Sequence, residues 1–196
     1  MEEKAKELLV KQQYRFAGES SAVKICSWTK NSIRGRGVCY KEQFYGIRCH
    51  RCVQMTPALG YCHNRCIFCW RPVEFTKSYP MKGYDDPDKI IDNCLEAQKE
   101  LLTGFFGNEN ADKKKLEESM QPRHFAISLS GEPTLYPMLG SLIRKLHKRG
   151  YSTFLVTNGM QPDVLEGIEP PTQLYLSVDA PNKELFERID KPAVKD

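Results

Sequence analysis

Cys62-His63-Asn64-Arg65-Cys66-Ile67-Phe68-Cys69 places three thiols within eight residues, at the spacing C-x3-C-x2-C. Disulfides would use cysteines in pairs, and a tetrahedral structural zinc site asks for four ligands. Three thiolates on one short loop suit a 4Fe–4S cube, in which they hold three irons and leave the fourth open. An open metal position is where a ligand from outside the protein binds and reacts. A rival pairing exists: Cys49-x2-Cys52 and Cys66-x2-Cys69, separated by thirteen residues, approximate a zinc ribbon. It leaves Cys62, Cys26 and Cys39 without a role, so the cluster reading is preferred.

Cys26, Cys39 and Cys52 lie thirteen residues apart in sequence. Three separated thiolates are enough for a second cluster, although Cys49 competes for the role of Cys52. Cys94 falls on the apolar stripe of a helix and reads as a buried thiol. Gly131-Glu132-Pro133 follows an apolar strand. Glu132 is placed to accept hydrogen bonds from an ammonium group, Gly131 allows close backbone approach, and Pro133 fixes the turn. The same sequence also satisfies an ordinary turn. His50, His63, His124 and His147 share no spacing and read as structural.

These residues need elements to position them. Residues 2–13 read as a polar helix, and 20–52 as an irregular stretch of cysteines, glycines and aromatics. Strands are expected at 53–58, 125–130, 153–156 and 173–178. Between them run a helix from Asp86-Pro87, capped by the aspartate and carrying apolar residues from Ile90 to Phe105, then one through Leu139–Leu146. Shorter helices are expected near 161–167 and at Lys183–Ile189. Residues 107–121 are charged, lysine-rich and expected to be exposed. Strands alternating with helices make an α/β protein with a parallel sheet, whose ligands gather at the carboxyl ends of the strands. Four parallel strands leave an open edge, so the chain is expected to be the N-terminal part of a longer protein. Its division is expected at residue 52: 1–52 an extension bearing the second set of cysteines, 53–196 the sheet and its helices.

The chain has 196 residues, 40% of them hydrophobic, enough for one core. No apolar run approaches the ~18–20 residues of a membrane span, and the first residues do not resemble a signal peptide. Eight cysteines with no export signal point to the reducing cytoplasm and to metal. The net charge of +4 is uneven: 11 Lys and Arg face 5 Asp and Glu in residues 1–52, against 18 and 20 in the rest. Such a basic segment suits a phosphate-bearing partner, and equally an ordinary solvated face.

The C-x3-C-x2-C loop, with Phe68 before its last cysteine, resembles the cluster motif of radical S-adenosylmethionine (SAM) enzymes. The resemblance implies a partial (βα) barrel of radical-SAM type with an irregular N-terminal cysteine-bearing extension. It also implies SAM on the open iron, with Glu132 and Gly131 at its amino group. Asn158, Ser177 and Asp179 would serve its carboxylate and ribose hydroxyls, and Phe68 would pack beside its adenine or cover the cluster. With Cys26, Cys39 and Cys52 ahead of the loop, and with Gly35-Arg36-Gly37, Met55-Thr56-Pro57-Ala58, Cys69-Trp70-Arg71-Pro72, Ser130-Gly131-Glu132-Pro133 and Ser177-Val178-Asp179-Ala180-Pro181, the chain is similar to the 4-demethylwyosine synthase family, in its archaeal form without a flavodoxin-like domain. That likeness implies two 4Fe–4S clusters and an electron donor of flavodoxin or ferredoxin type. The substrates would be pyruvate and N1-methylguanosine beside the anticodon of tRNA-Phe. Lys41, two residues after Cys39, would hold pyruvate as a Schiff base. Another radical-SAM enzyme with an auxiliary cluster would share every motif except those of the N-terminal segment.

Overall fold

The computed structural model describes residues 3–77 and 80–193. It contains one six-stranded sheet in the order β1 (Arg15–Phe16), β2 (Ala22–Val23), β3 (Cys52–Thr56), β4 (His124–Ile127), β5 (Ser152–Thr157) and β6 (Gln173–Leu176). β3 to β6 are parallel, with Met55 beside Ile127 and Ile127 beside Leu155. The four expected strands are therefore present and mutually parallel. β1 and β2 are additions, pairing antiparallel to each other and then to β3.

The helices are α1 (Glu3–Lys11), α2 (Ser27–Ile33), α3 (Tyr40–Tyr45), α4 (Pro87–Thr103), α5 (Lys113–Ser119), α6 (Leu139–Lys148), α7 (Pro162–Glu166) and α8 (Lys183–Ile189). α4 begins as its sequence requires: Asp86 Oδ1 accepts the Asp88 amide at 2.8 Å, and Pro87 occupies the first turn. Ile90, Ile91 and Cys94 of α4 join Leu139, Leu142, Ile143 and Leu146 of α6. Together they cover Val53, Met55, Phe125, Ile127 and Leu155 on one face of the sheet. Cys94 is fully buried there.

Two expectations need correction. Residues 20–52 are not irregular: they hold β2, α2, α3 and a tight turn at Cys49–Arg51. Residues 107–121 are not simply exposed, because α5 buries Leu116 against Ile25, Ile33 and Leu102. Glu118 of α5 also binds the Arg48 guanidinium at 2.9 Å and His50 at 2.8 Å.

The opposite face of the sheet carries a smaller apolar patch of Cys52, Ala126 and Phe154, with Ile47 and Tyr175 against it. Cys52, one of the second set of cysteines, is part of this patch.

Candidate functional site

The loop after β3 holds Cys62, Cys66 and Cys69 beside the carboxyl ends of the parallel strands. A short pairing of Tyr61 with Lys77 closes its base: Lys77 N donates to Gly60 O at 2.7 Å and Cys62 N to Lys77 O at 3.2 Å. Its far side is held by the last residue of α8 and the segment after it. Arg65 N donates to Asp190 O and Ile67 N to Ile189 O, both at 2.9 Å, while Ala193 N donates to His63 O at 2.7 Å. The three cysteines line one cavity of about 240 Å³ together with Gly131, Trp70 and Arg71.

Gly131 is required here by close approach of backbone. Its φ is +71°, and a Cβ would come within 2.0 Å of Ala58 O and 2.6 Å of Tyr61 O. The close contact is with the root of the cysteine loop, a constraint that the turn sequence alone does not reveal. Glu132 is buried, and its carboxylate is largely engaged by the protein. Oε1 accepts from Thr134 N (3.0 Å), Thr134 Oγ1 (2.8 Å) and Thr157 Oγ1 (2.6 Å), and Oε2 accepts from Asn158 N (2.8 Å). A carboxylate oxygen offers about two lone pairs. Oε1 is thus saturated and Oε2 retains capacity for one further donor, such as an ammonium group.

Asn158 faces the loop. Its Nδ2 donates to Cys62 Sγ across 3.9 Å, while its Oδ1 accepts Met160 N at 3.1 Å. Ser177 and Asp179 are exposed at the end of β6, and Phe68 is 54% exposed on the loop. The little desolvation Asp179 has raises its carboxyl, and the charge of Asp190 adds to this. Ser177, Asp179 and Phe68 therefore share the same end of the sheet as Asn158 without converging on it.

Sequence reasoning missed two partners of the loop. Asp190 lies under it, accepting from Cys66 Sγ at 3.2 Å. Arg71 stacks on Trp70 with its guanidinium carbon 3.3 Å from the ring centroid, and donates to the Tyr14 hydroxyl. The Trp70-Arg71 pair directly after Cys69 was the available signal for the second; Asp190 carried none.

The residues fit an iron–sulfur cluster. The three sulfurs are free thiols on one cavity, and sulfur is the donor that such clusters take. Burial pushes the Cys62 thiol up to about 11 and the Cys66 thiol up to about 12, with Asp190 reinforcing the latter. Loading metal therefore displaces protons. The zinc-ribbon pairing fails on geometry. Cys49 and Cys52 stand at the start of β3 and Cys66 and Cys69 beyond its end, with on the order of 13 Å of strand between. Among the described residues, no three His, Cys, Asp or Glu side chains converge on a single ion.

The second set of cysteines gathers at that start of β3. Cys26 and Cys39 precede α2 and α3, and Cys39 and Cys52 are buried. Burial pushes the Cys52 thiol up to about 12; the Lys41 charge opposes this, and Cys26, Cys39 and Cys49 reinforce it. Cys49 Sγ accepts the Cys39 amide at 3.4 Å and lies 4.0 Å from Trp28 O. Lys41, on α3, is 9% exposed. Among the described residues its ammonium has no hydrogen-bond or ion-pair partner. It rests instead over aromatic rings, 4.6 Å from the centroid of Phe154, 5.3 Å from Tyr175 and 5.9 Å from Tyr40.

Comparison with known proteins agrees with this geometry. A family model described as the radical SAM superfamily matches residues 57–196. A protein of Pyrococcus abyssi named S-adenosyl-L-methionine-dependent tRNA 4-demethylwyosine synthase is 47% identical over 201 residues, covering 100% of this chain and 59% of the relative. A protein of the same name from Arabidopsis thaliana is 46% identical, covering 96% of this chain and 29% of its own length. The chain thus spans about three-fifths of the archaeal relative. A solved structure of TYW1 with a lysine-pyruvate adduct bound superimposes with a TM-score of 0.89 at 41% identity, covering 98% of this chain and 63% of that one. A crystal structure of archaeal TYW1 gives 0.78 at 37%, covering 95% and 62%.

Proposed function

This chain belongs to the radical SAM superfamily, and on that premise we propose that it condenses N1-methylguanosine, beside the anticodon of tRNA-Phe, with pyruvate to form 4-demethylwyosine. The observation that carries this reading is Lys41: a buried amine facing aromatic rings, beside a second group of cysteines. A superfamily member acting on a substrate without a ketone has no evident use for such an amine. The relatives' shared name and the lysine-pyruvate adduct in a similar structure support the same reading.

When bound, the cluster and SAM supply a carbon radical able to take a hydrogen atom from the methyl group of the base. Cys62, Cys66 and Cys69 hold that cluster. Asn158 Nδ2 faces the Cys62 sulfur, and Glu132 Oε2 has room for the SAM ammonium group. Gly131 seats β4 against the loop. Ser177, Asp179 and Phe68 remain for the carboxylate, ribose and adenine. Lys41 holds pyruvate as a Schiff base over Phe154, three residues before the end of β5 at Thr157 and so on the order of 10 Å from that strand end.

Cys26, Cys39 and Cys52 hold a second 4Fe–4S cluster. Cys52 is favoured over Cys49 because Cys49 already has polar partners as a free thiol, whereas the Cys52 sulfur has only the carbonyl of its neighbour Val53. The extension 1–52 is the unit that brings this cluster to the barrel portion 53–196, and its basic excess suits RNA phosphate. A flavodoxin or ferredoxin supplies the electron. The free cysteines suit a reducing cytoplasm, and no helix among the described residues is long and apolar enough to cross a membrane.

Anaerobic reconstitution tests the reading. The protein should carry about eight irons, four per cube, cleave SAM on reduction, and form the tricyclic base only with both pyruvate and methylated tRNA. Cys49→Ala should keep the iron content and Cys52→Ala should lower it. Stoichiometric zinc without iron, or product formation without pyruvate, would refute it.

A further inference from the structure

Beside the base of the cysteine loop opens a second cavity, of about 560 Å³. Leu59, Gly60 and Phe75 line both this cavity and the one that holds the three cysteines. Four exposed lysines, Lys6, Lys77, Lys82 and Lys89, line it against two carboxylates, Glu19 and Asp85. Asp85 is buried and its charge is engaged within the protein: Oδ2 accepts the Glu19 amide at 2.7 Å, and Oδ1 meets the Lys89 ammonium at 3.3 Å. Lys6 pairs with Glu3 at 3.6 Å. The ammonium groups of Lys77 and Lys82 have no hydrogen-bond or ion-pair partner among the described residues. Lys77 is also the residue whose backbone closes the loop, bonded to Gly60 and to Cys62. An unspent positive charge is thus carried by a residue in direct backbone contact with a cysteine of the set.

We propose that this lysine-rimmed face is the docking surface of a small acidic electron-carrier protein; this rests on Cys62, Cys66 and Cys69 holding the reducible cluster. Electron transfer slows steeply with distance, so a carrier must bring its redox group close to the cysteine loop, and this face adjoins it. Lysines suit such a partner. They are flexible, hydrated charges that attract a carboxylate-rich surface from a distance and release it after one transfer. Encounters of this kind bury little area, under about 1,200 Å², and need no deep anchor. RNA is the rival occupant of a lysine-rich face, and two observations disfavour it here. Glu19 and Asp85 stand within the cavity, where they oppose a seated phosphate. The base to be modified must also reach Lys41, whose nearest ring, Phe154, lies on the order of 10 Å back from the end of β5. The two partners therefore have separate places to bind. In the step itself the carrier is oxidised by one electron, which passes to the iron held by the cysteine loop; no bond forms or breaks and no proton moves.

The experiment uses the full protein, reconstituted anaerobically, with a flavodoxin as the acidic carrier. Calorimetric titration with oxidised flavodoxin gives the affinity, and stopped-flow absorbance with reduced flavodoxin gives the rate of electron entry. The double variant Lys77→Glu, Lys82→Glu should bind flavodoxin more weakly and be reduced by it about tenfold more slowly at low salt. The difference should close at about 1 M salt, where the Debye length is about 3 Å. Reduction by photoreduced deazaflavin, a small molecule that needs no docking surface, should keep the wild-type rate, and tRNA affinity should fall far less than flavodoxin affinity. Lys113→Glu with Lys114→Glu, the same charge change on α5, should leave flavodoxin binding and reduction close to wild type. Wild-type flavodoxin affinity in the Lys77, Lys82 variant overturns the proposal. So does loss of tRNA affinity with flavodoxin binding unchanged, which marks an RNA surface. Equal slowing with both reductants marks damage to the cysteine loop and overturns it too. Failure of deazaflavin to reduce the wild-type protein overturns the cluster reading on which the proposal rests, and is thereby distinguishable from failure of the docking surface alone.

Discussion

Glu132 illustrates how one carboxylate serves two purposes. Four protein donors converge on it from the Thr134 turn and from the end of β5, fixing the relative height of two strand ends at the site. Glu132→Gln replaces one acceptor oxygen by an amide that can only donate, so it faces either the Asn158 amide or the two threonine hydroxyls with the wrong polarity. Urea denaturation of the protein without SAM should show a loss of about 1–3 kcal/mol, because the contacts are internal. His124 offers a second test. Burial lowers its pKa to about 4, with Arg51, His50, Arg123 and Lys41 adding to the effect, while Nδ1 pairs with Ser152 Oγ at 2.6 Å. The unfolded chain takes up this proton near pH 6.5 and the folded one only near 4. This contribution to stability is therefore complete above pH 6.5 and lost as pH falls towards 4. Denaturation midpoints across that window should lose up to one proton of pH dependence in His124→Gln.

α5 shows what amphipathic patterning misses. Lys113-Lys114-Lys115-Leu116-Glu117-Glu118-Ser119 has a single apolar residue, so no stripe announces burial, yet Leu116 fills the space between α2 and the end of α4. Leu116→Ala should cost about 2–5 kcal/mol, seen as a lower thermal midpoint, where a solvated insertion would show almost none. If the second set of cysteines holds the proposed cluster, its iron retention should fall with it, since α2 follows directly on Cys26. The short elements of residues 15–51 escaped for a related reason. Strands of two residues cannot display alternation, and helices of seven and six residues hardly complete two turns. The longer strands and helices were legible because each repeats its period several times against the core.

For the molecule as a whole, the parallel sheet could be read from the sequence, since periodicity is a local property, and the cysteine loop could be placed at the end of its first parallel strand. What could not be read joins distant positions. Cys66 meets Asp190 across 124 residues, Asn158 reaches Cys62 across 96, and Tyr14 meets Arg71 across 57. No local pattern encodes such pairs; they arise only when the sheet brings strand ends and loops to one side. The environment of Glu132 and the rings around Lys41 belong to the same class.

The clasp of residues 189–193 on the cysteine loop also sets an order of events in time. A growing polypeptide has made Cys62, Cys66 and Cys69 long before Asp190 and Ala193 emerge, and until then the far side of the loop lacks its backbone partners while Lys77 already closes its base. Closing so wide a chain segment adds only about 0.6 kcal/mol of entropy per doubling of length, so the delay is one of synthesis and search, not of final stability. In refolding followed by pulsed hydrogen exchange, the amides of Arg65 and Ile67 should become protected together with α8 and after β3–β5. Iron supplied to nascent chains arrested before residue 183 should be held less well than by released protein.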